Sequence, residues 1–304
     1  MNKQSTYKVS DEELAQEAFI RRAALLDAPF MLKGSFVSRQ YFPTPAMRKP
    51  RDLDWLYLSR LEGQNTARQV FDEWVISVTE MDLEDGVMFR SFRENQFWRM
   101  IDYAMADDFP TVNTDVLCWV EGREIEFDLD ISFNLEIPYH PIPLQYQTIS
   151  GDAFIVPKTV PLSLQVSWKI HQTLVRPRFK DLFDLTYFVQ HPLFTSKTLE
   201  QTLKALVDEC LMDNVKTSTI QSFLNYQISD LFGSKTKMKE RWQSWKGENK
   251  PDYLAMFPNE VSLITDEVHV PKGLSDFLLQ FTFAMRSAGF NKSLMPQVEE
   301  LMKT

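Results

Sequence analysis

The chain has 304 residues, with 42 acidic against 33 basic side chains, a formal charge of −9, four His and two Cys. Hydrophobic residues at 44% and aromatics at 13% supply a dense core, which excludes compositional disorder, and the acidic balance excludes a sequence-independent DNA coat. No apolar run approaches the roughly 18–20 residues of a membrane span, and Cys118 and Cys210 form no CxxC pair, so a cytoplasmic protein without membrane contact, sequence-specific DNA binding or a thiolate metal site is expected.

Ser10 with Glu13 has capping-box spacing, and Leu14, Ala18, Phe19, Ala23 and Leu26 follow at helical intervals, which predicts a helix that stops by Pro29. Phe30-Met31-Leu32-Lys33 reads as a short strand turning at Gly34-Ser35 into a short helix with Phe36, Val37, Gln40 and Tyr41. After a loop holding Pro43, Pro45 and Pro50, the run from Arg51 to Leu58 is rich in strand formers. Its Asp52 and Asp54 are two residues apart and share one face of a strand.

Helices are predicted from Thr66 to Val78 and from Asn95 to Met105. A hairpin follows: Val116 to Val120, the turn Glu121-Gly122-Arg123, then Glu124 to Phe133. In its second strand Ile125, Phe127, Leu129 and Ile131 alternate with Glu126, Asp128 and Asp130, so one face is apolar and the other acidic. Pro138 to Pro161 holds five prolines and reads as an extended loop. From Ser163 onward the periodicity is helical, with a break at Pro177 and further helices over Leu199 to Leu211, Ile220 to Ile228, Lys237 to Trp245 and Leu274 to Met285. A boundary near residue 162 divides the chain into domains 1–162 and 163–304.

Two carboxylates held side by side repel, an arrangement favoured when a cation compensates, and hard oxygen donors suit Mg²⁺, which commonly binds one or two carboxylates plus substrate phosphates. Gly34-Ser35 lies at a strand-to-helix turn, where free backbone N–H groups suit a phosphate. Asp130, favoured over Asp128, would complete a site for two metal ions with Asp52 and Asp54.

The blocks FMLKGSFVSRQYF, PRDLDWLYL, REIEFDLDISF and SWKIHQTLVRPRFKDLFDL, in this order, resemble the AbiEii/AbiGii nucleotidyltransferase-toxin family of the DNA polymerase β-like superfamily. The resemblance spans about Phe30 to Leu185. It implies an α/β (α+β) fold, a mixed nucleotidyltransferase sheet with helices, followed by an α-helical domain closing the nucleotide cleft. It also implies NMP transfer from an NTP to an acceptor hydroxyl, with Gly34 and Ser35 at the triphosphate, two Mg²⁺ on Asp52, Asp54 and Asp130, and Lys169 at the nucleotide. Arg178, Lys180, Asp181 and Asp184 match a segment bordering the active site, Asp184 among the catalytic residues. The acceptor implied is RNA, particularly a tRNA 3′ end, and the implied partner is a cognate antitoxin. Alternatives keep the fold with a protein or small-molecule acceptor, or with nucleotide sensing or partner binding and no catalysis. Where the family continues D-I-G-F-G-D, this chain has Asp130-Ile131-Ser132-Phe133-Asn134-Leu135-Glu136.

Lys169, Thr173, Arg176 and Lys180 recur at intervals of four and three, which predicts a basic stripe facing the substrate or, alternatively, pairing with Asp181 and Asp184. His140, His171, His191 and His269 make no zinc motif, and His171 is expected at the surface. Cys118 is expected to be a buried thiol, and Gly233-Ser234-Lys235 a helix N-cap rather than a phosphate loop. Lys235, Lys237, Lys239, Arg241 and Lys246 interleave with Trp242 and Trp245, either as an RNA grip or, the favoured reading, as a helix with a buried tryptophan side.

Overall fold

A computed structural model describes residues 9–101, 110–246 and 270–303. The chain forms two compact units. The first runs through Gln40 and from Thr44 to Val160, and the second comprises Tyr41–Pro43 and the chain from Pro161 onward.

The first unit begins with α1 (Asp11–Leu25), whose N-terminus is closed by the predicted capping box of Ser10 and Glu13. Strand β1 (Phe30–Leu32) leads through Gly34 into the short α2 (Gly34–Ser38). Strand β2 (Leu53–Tyr57) is shorter than the sequence suggests and starts one residue after Asp52. It is followed by α3 (Gln64–Thr79) and β3 (Val87–Phe89).

The helix predicted from Asn95 is not formed. A 3₁₀ turn at Phe92–Glu94 precedes β4 (Arg99–Ile101), which pairs antiparallel with β5 (Thr111–Val120). Ladder pairing there overrides local helix propensity, while residues 102–105 of that prediction lie outside the described residues. Glu121 (φ 49°) and Gly122 (φ 78°) turn β5 into β6 (Arg123–Ser132), the positive φ pair of a type I′ hairpin turn.

The extended loop expected after Pro138 is instead largely a second hairpin, β7 (Ile142–Gln147) and β8 (Ala153–Thr159). Its prolines are accommodated because β7 is the edge strand, and Pro143 and Pro157 fall at the register irregularity between the Ile142–Thr159 and Leu144–Val156 pairs.

The strand order is β3-β5-β6-β2-β1-β8-β7, with β4 also on β5. The pairs β2–β6 and β1–β8 are parallel and the others antiparallel, so the sheet is mixed, as expected. Trp55 and Phe127 point to the face covered by α1 and α3, where Phe19 meets Phe127 and Trp74 edge-on and Trp74 stacks on Phe30 at 3.9 Å. Period-two alternation sends Asp54 and Asp130 to the opposite face.

A buried charge cluster ties α1 to the segment after α2. The Arg39 guanidinium, with no exposed surface, lies 3.5 Å from Glu13 and 3.6 Å from Glu17, one turn apart on α1, and donates to Pro45 O. Glu17 also accepts from Tyr146 Oη and from the Ile149 N–H, both at 3.1 Å, which brings in the β7–β8 hairpin. Burial pushes the Glu17 carboxyl up to about 6, against the opposing pull of Arg39.

The second unit is helical among its described residues. Helices α4 (Leu162–Val175) and α5 (Phe179–Phe188) are separated at Pro177 as predicted, and α6 (Ser196–Met212) packs on α4. The predicted helix over Ile220–Ile228 is two: α7 (Thr217–Leu224) and α8 (Ile228–Leu231), divided where Tyr226 takes a positive φ of 59°. The remaining helices are α9 (Lys235–Lys246), α10 (Leu274–Ser287) and α11 (Met295–Leu301). The rings of Phe179, Phe232, Trp242, Trp245 and Phe277 form the centre of this core. Tyr41 and Phe42 join it against Phe183, Tyr187 and Phe188. Among the described residues no helix is long and apolar enough to cross a membrane.

Removing the cation from the buried cluster leaves two carboxylates uncompensated, so Arg39→Ala is expected to lower stability by about 3–5 kcal/mol, read from urea denaturation. The folded-state pKa of Glu17 is raised above its unfolded value, so its stabilising contribution is complete below pH 4.5 and is lost as pH rises through about 6. Comparison of wild type with Glu17→Gln across that window should show the variant gaining about 2 kcal/mol relative to wild type on going from pH 4 to 7.

Candidate functional site

The register of the strands places one row of polar side chains across the face opposite α1 and α3. Asp54 on β2 is the direct parallel partner of Asp130 on β6, and Asp130 is the antiparallel partner of Asn113 on β5. Asn113 in turn pairs with Arg99 on β4. On the other side of Asp54, the Lys33 N–H donates to Asp54 O at 3.0 Å just past the end of β1, and Lys33 Nζ lies 3.3 Å from Asp54 Oδ1. The order along the row is Arg99, Asn113, Asp130, Asp54, Lys33: a cation at each end and two acids side by side within.

Asp128 belongs to the neighbouring row, opposite Asp115. It is 57% exposed and lies 3.5 Å from Arg99, whereas Asp130 is 2% exposed and accepts from Asn113 Nδ2 at 2.6 Å. Burial, first, and the adjacent charge of Asp54, second, push the Asp52 carboxyl up to about 6; Asp130 and Asp128 add to this and Arg51 opposes it. That mutual repulsion is the electrostatic signature of acids gathered at one place.

Gly34 has a φ of 71°, and a Cβ built on it would overlap the Asp54 carboxylate. Glycine is therefore required twice here, for the backbone conformation and for the close approach. Ser35 Oγ donates to Asp52 O at 3.4 Å, and Ser38 Oγ to Gly34 O at 2.9 Å, which fixes the turn against the start of β2.

Among the described residues no three His, Cys, Asp or Glu side chains are already gathered into a closed metal cluster. The donor set nonetheless suits a hard divalent cation: every candidate ligand is a carboxylate, the charges repel, and the Lys33 ammonium stands as a cation on Asp54. A cation held by that oxygen of Asp54 would have to displace the ammonium.

The second unit carries the other candidates. Lys169 Nζ on α4 lies 2.8 Å from both Asp181 Oδ1 and Asp184 Oδ2 on α5, and Arg178 Nε donates to Asp181 Oδ2 at 2.6 Å. Both carboxylates are almost fully buried. Burial alone would raise the Asp181 carboxyl, but Lys169, Arg178 and Lys180 outweigh it and hold it well below the usual carboxylate range. The continuous basic stripe is not formed: α4 ends at Val175, Thr173 is buried with its Oγ1 on Lys169 O, and Lys169 turns to the acids. Arg176 is the exposed C-cap of α4.

His171 is not at the surface. Because α4 buries most of its circumference, His171 is 1% exposed, with Nδ1 3.7 Å from Glu209 on α6 and Nε2 3.0 Å from Asp213, the C-cap of that helix. Cys118 is buried, and burial pushes its thiol up to about 12, as suits an unreactive core residue. Trp242 and Trp245 are buried, Ser234 Oγ caps the Lys237 N–H, and Lys235, Lys237, Lys239 and Arg241 are exposed. His269 lies outside the described residues. A cleft of about 700 Å³ lined by Tyr57, Arg60, Tyr139 and His140 opens beyond the C-terminal end of β2 and contains none of the candidate acids.

Sequence reasoning missed Lys33, Asn113 and Arg99. The signal for Asn113 was present: a two-residue hairpin turn pairs residues equally distant from it, which sets Asn113 opposite Asp130. Nothing comparable marks Arg99, whose strand carries no clear alternation.

The nucleotidyl transferase AbiEii toxin family, described as a type IV toxin–antitoxin system, matches residues 18–257. The chain therefore belongs to that family and is a nucleotidyltransferase. Solved structures similar over nearly the whole chain include JHP933 from Helicobacter pylori, at 14% identity and a TM-score of 0.44, covering 97% of this chain and 98% of that one. Another is MenT4, a nucleotidyltransferase toxin from Mycobacterium tuberculosis, at 11% identity and a TM-score of 0.48, covering 96% and 91%. No match was found among curated proteins.

Gly34→Ala forces a side chain into the left-handed region and against Asp54 at once, and is expected to cost more than about 1 kcal/mol in a denaturation experiment. A glycine elsewhere with open space and positive φ, such as Gly86, supplies the comparison: its alanine variant carries the backbone strain without the collision.

Proposed function

We propose that the chain moves an NMP from an NTP to an acceptor hydroxyl of RNA, particularly a tRNA 3′ end, that it does so with Mg²⁺, and that a cognate antitoxin restrains it. The observation that carries this reading is the Asp54–Asp130 rung beside Gly34, with the Asp52 carboxyl pushed up to about 6 by burial first and by Asp54 and its other acidic neighbours second.

In this reading Asp52, Asp54 and Asp130 would hold the divalent cations, which would supply charge neutralisation of the triphosphate and favour ionisation of the attacking hydroxyl. Asp130 would accept the proton of the attacking hydroxyl or orient it for in-line displacement of pyrophosphate. Gly34 leaves room for a phosphate to approach the backbone, and Ser35 offers a hydroxyl donor. Lys33 is within reach of Asp54 in the free protein, and its ammonium is available to the triphosphate once it leaves that carboxylate. Lys169, Arg178, Lys180, Asp181 and Asp184 contribute through the second unit: Lys169 would contact nucleotide, its position set by the two buried acids.

Incubating the protein with each labelled NTP, Mg²⁺ and total tRNA should transfer label to RNA. The Asp52→Ala/Asp54→Ala variant should be reduced at least about a hundredfold, a loss of roughly 3 kcal/mol of transition-state stabilisation. Label that survives nuclease and is lost to protease would move the acceptor to protein. Wild type that labels neither RNA, protein nor a small alcohol would sink the catalytic reading.

A further inference from the structure

Asn113 is the one neutral member of the polar row, and its two ends meet partners of opposite kind. Its Nδ2 donates to Asp130 Oδ1 at 2.6 Å and to Asp128 Oδ1 at 3.2 Å, while its Oδ1 accepts from Arg99 Nε at 2.9 Å and also from Arg99 Nη2. A guanidinium has only donors and an ionised carboxylate only acceptors, so a single orientation of the amide satisfies both. Arg99 Nη2 also reaches Asp115, anchoring the guanidinium on the neighbouring row. Asn113 is 6% exposed and Asp130 2%, so the bond between them lies largely out of water, while the Arg99 side chain beyond it is 48% exposed.

The terminal torsion of an aspartate is soft and roughly two-fold, so a carboxylate on a strand has no fixed plane of its own. Beside Asp54, Asp130 is also repelled by its neighbour. A lysine or arginine directly opposite would hold Asp130 but would cancel the charge needed to attract a cation. An amide holds one oxygen by a strong donor and leaves the charge in place, with the positive charge of Arg99 one strand further out.

We propose that Asn113, oriented by Arg99, is a positioning residue that fixes the Asp130 carboxylate beside Asp54 and sets Asp130 apart from Asp128 as the reacting acid. This rests on the reading of Asp130 given above. Asn113 acts through Asp130 and touches neither substrate nor ion.

The test uses the full chain with Asn113→Leu, which keeps volume and removes the donor, and Arg99→Gln, which keeps donors and removes the charge. Thr111→Val is the control: it breaks the buried Thr111–Ser132 hydroxyl pair on the same ladder, at 3.0 Å, without touching the row. Three quantities are read: binding of Mn²⁺ by the nucleotide-free protein from its electron paramagnetic resonance signal, kcat and KM for labelled NTP, and Tm.

Asn113→Leu is expected to weaken Mn²⁺ binding and to lower kcat by about 10–100-fold each, the usual effect of removing a group that orients a ligating side chain, with KM changed by less than about threefold. Arg99→Gln should show the same pattern at smaller size, and Thr111→Val should lower Tm while leaving Mn²⁺ binding and kcat unchanged. The proposal is overturned if Asn113→Leu keeps both quantities within about threefold of wild type, or if Thr111→Val reproduces its losses at matched Tm. Should wild type bind Mn²⁺ and transfer no nucleotide, the Mn²⁺ comparison still decides the positioning role while the reaction reading falls. Should wild type do neither, both fall.

Discussion

Asp54 and Asp130 are adjacent across a parallel strand pair, and much of the first unit is arranged to tolerate that repulsion. Coulomb energy between unit charges a few ångströms apart is several kcal/mol at an effective dielectric near 20, comparable with the whole stability of an ordinary domain. The sheet meets it with Lys33 beyond Asp54, an amide beyond Asp130, and Arg99 beyond the amide. None of these neutralises the pair fully. Asp52 holds its proton more tightly than an isolated aspartate, through burial first and the charge of Asp54 second.

The same unit contains the opposite arrangement, and the contrast separates structural charges from those available for chemistry. Arg39 is enclosed by Glu13 and Glu17, and the remaining lone pairs of Glu17 are met by Tyr146 and Ile149. Two acids share one cation within a closed shell that joins α1, the segment after α2 and the β7–β8 hairpin. In the polar row the acids share one face of the sheet, with the partly exposed Asp54 and Lys33 side chains paired at its border. The Lys169–Asp181–Asp184–Arg178 group of the second unit resembles the closed kind in its burial, with Lys169 retaining 20% exposure as its outlet.

Much of this was legible in the sequence, for reasons that differ by element. The capping box at Ser10, the glycine turn after β1 and the β5–β6 hairpin are local devices whose residue types dictate geometry, and they form as expected. Period-two alternation predicted one strand face for Asp52 and Asp54, but the strand begins at Leu53 and only Asp54 lies on it. Long-range pairing was not legible. Arg99 lies in a segment with no clean alternation, and its strand exists because β5 offers an edge. The β7–β8 hairpin was hidden by its prolines, which count against a strand unless an edge and an irregular register accommodate them. His171 was misplaced because burial of a helix all round cannot be read from its own stripe. The third acid could be chosen between Asp128 and Asp130 only as a preference, since both share a face and only cross-strand register distinguishes their neighbours.

The three-residue excursion Tyr41–Pro43 has a consequence for how the chain is made. These residues belong to the second unit although they leave the ribosome more than a hundred residues before its helices. Synthesis proceeds from the N-terminus, and domains generally fold as units when complete. The link between α2 and β2 therefore waits, with the Tyr41 and Phe42 rings uncovered, until α5 emerges to receive them. The nascent chain thus cannot bury those two rings natively before most of α5 has been translated.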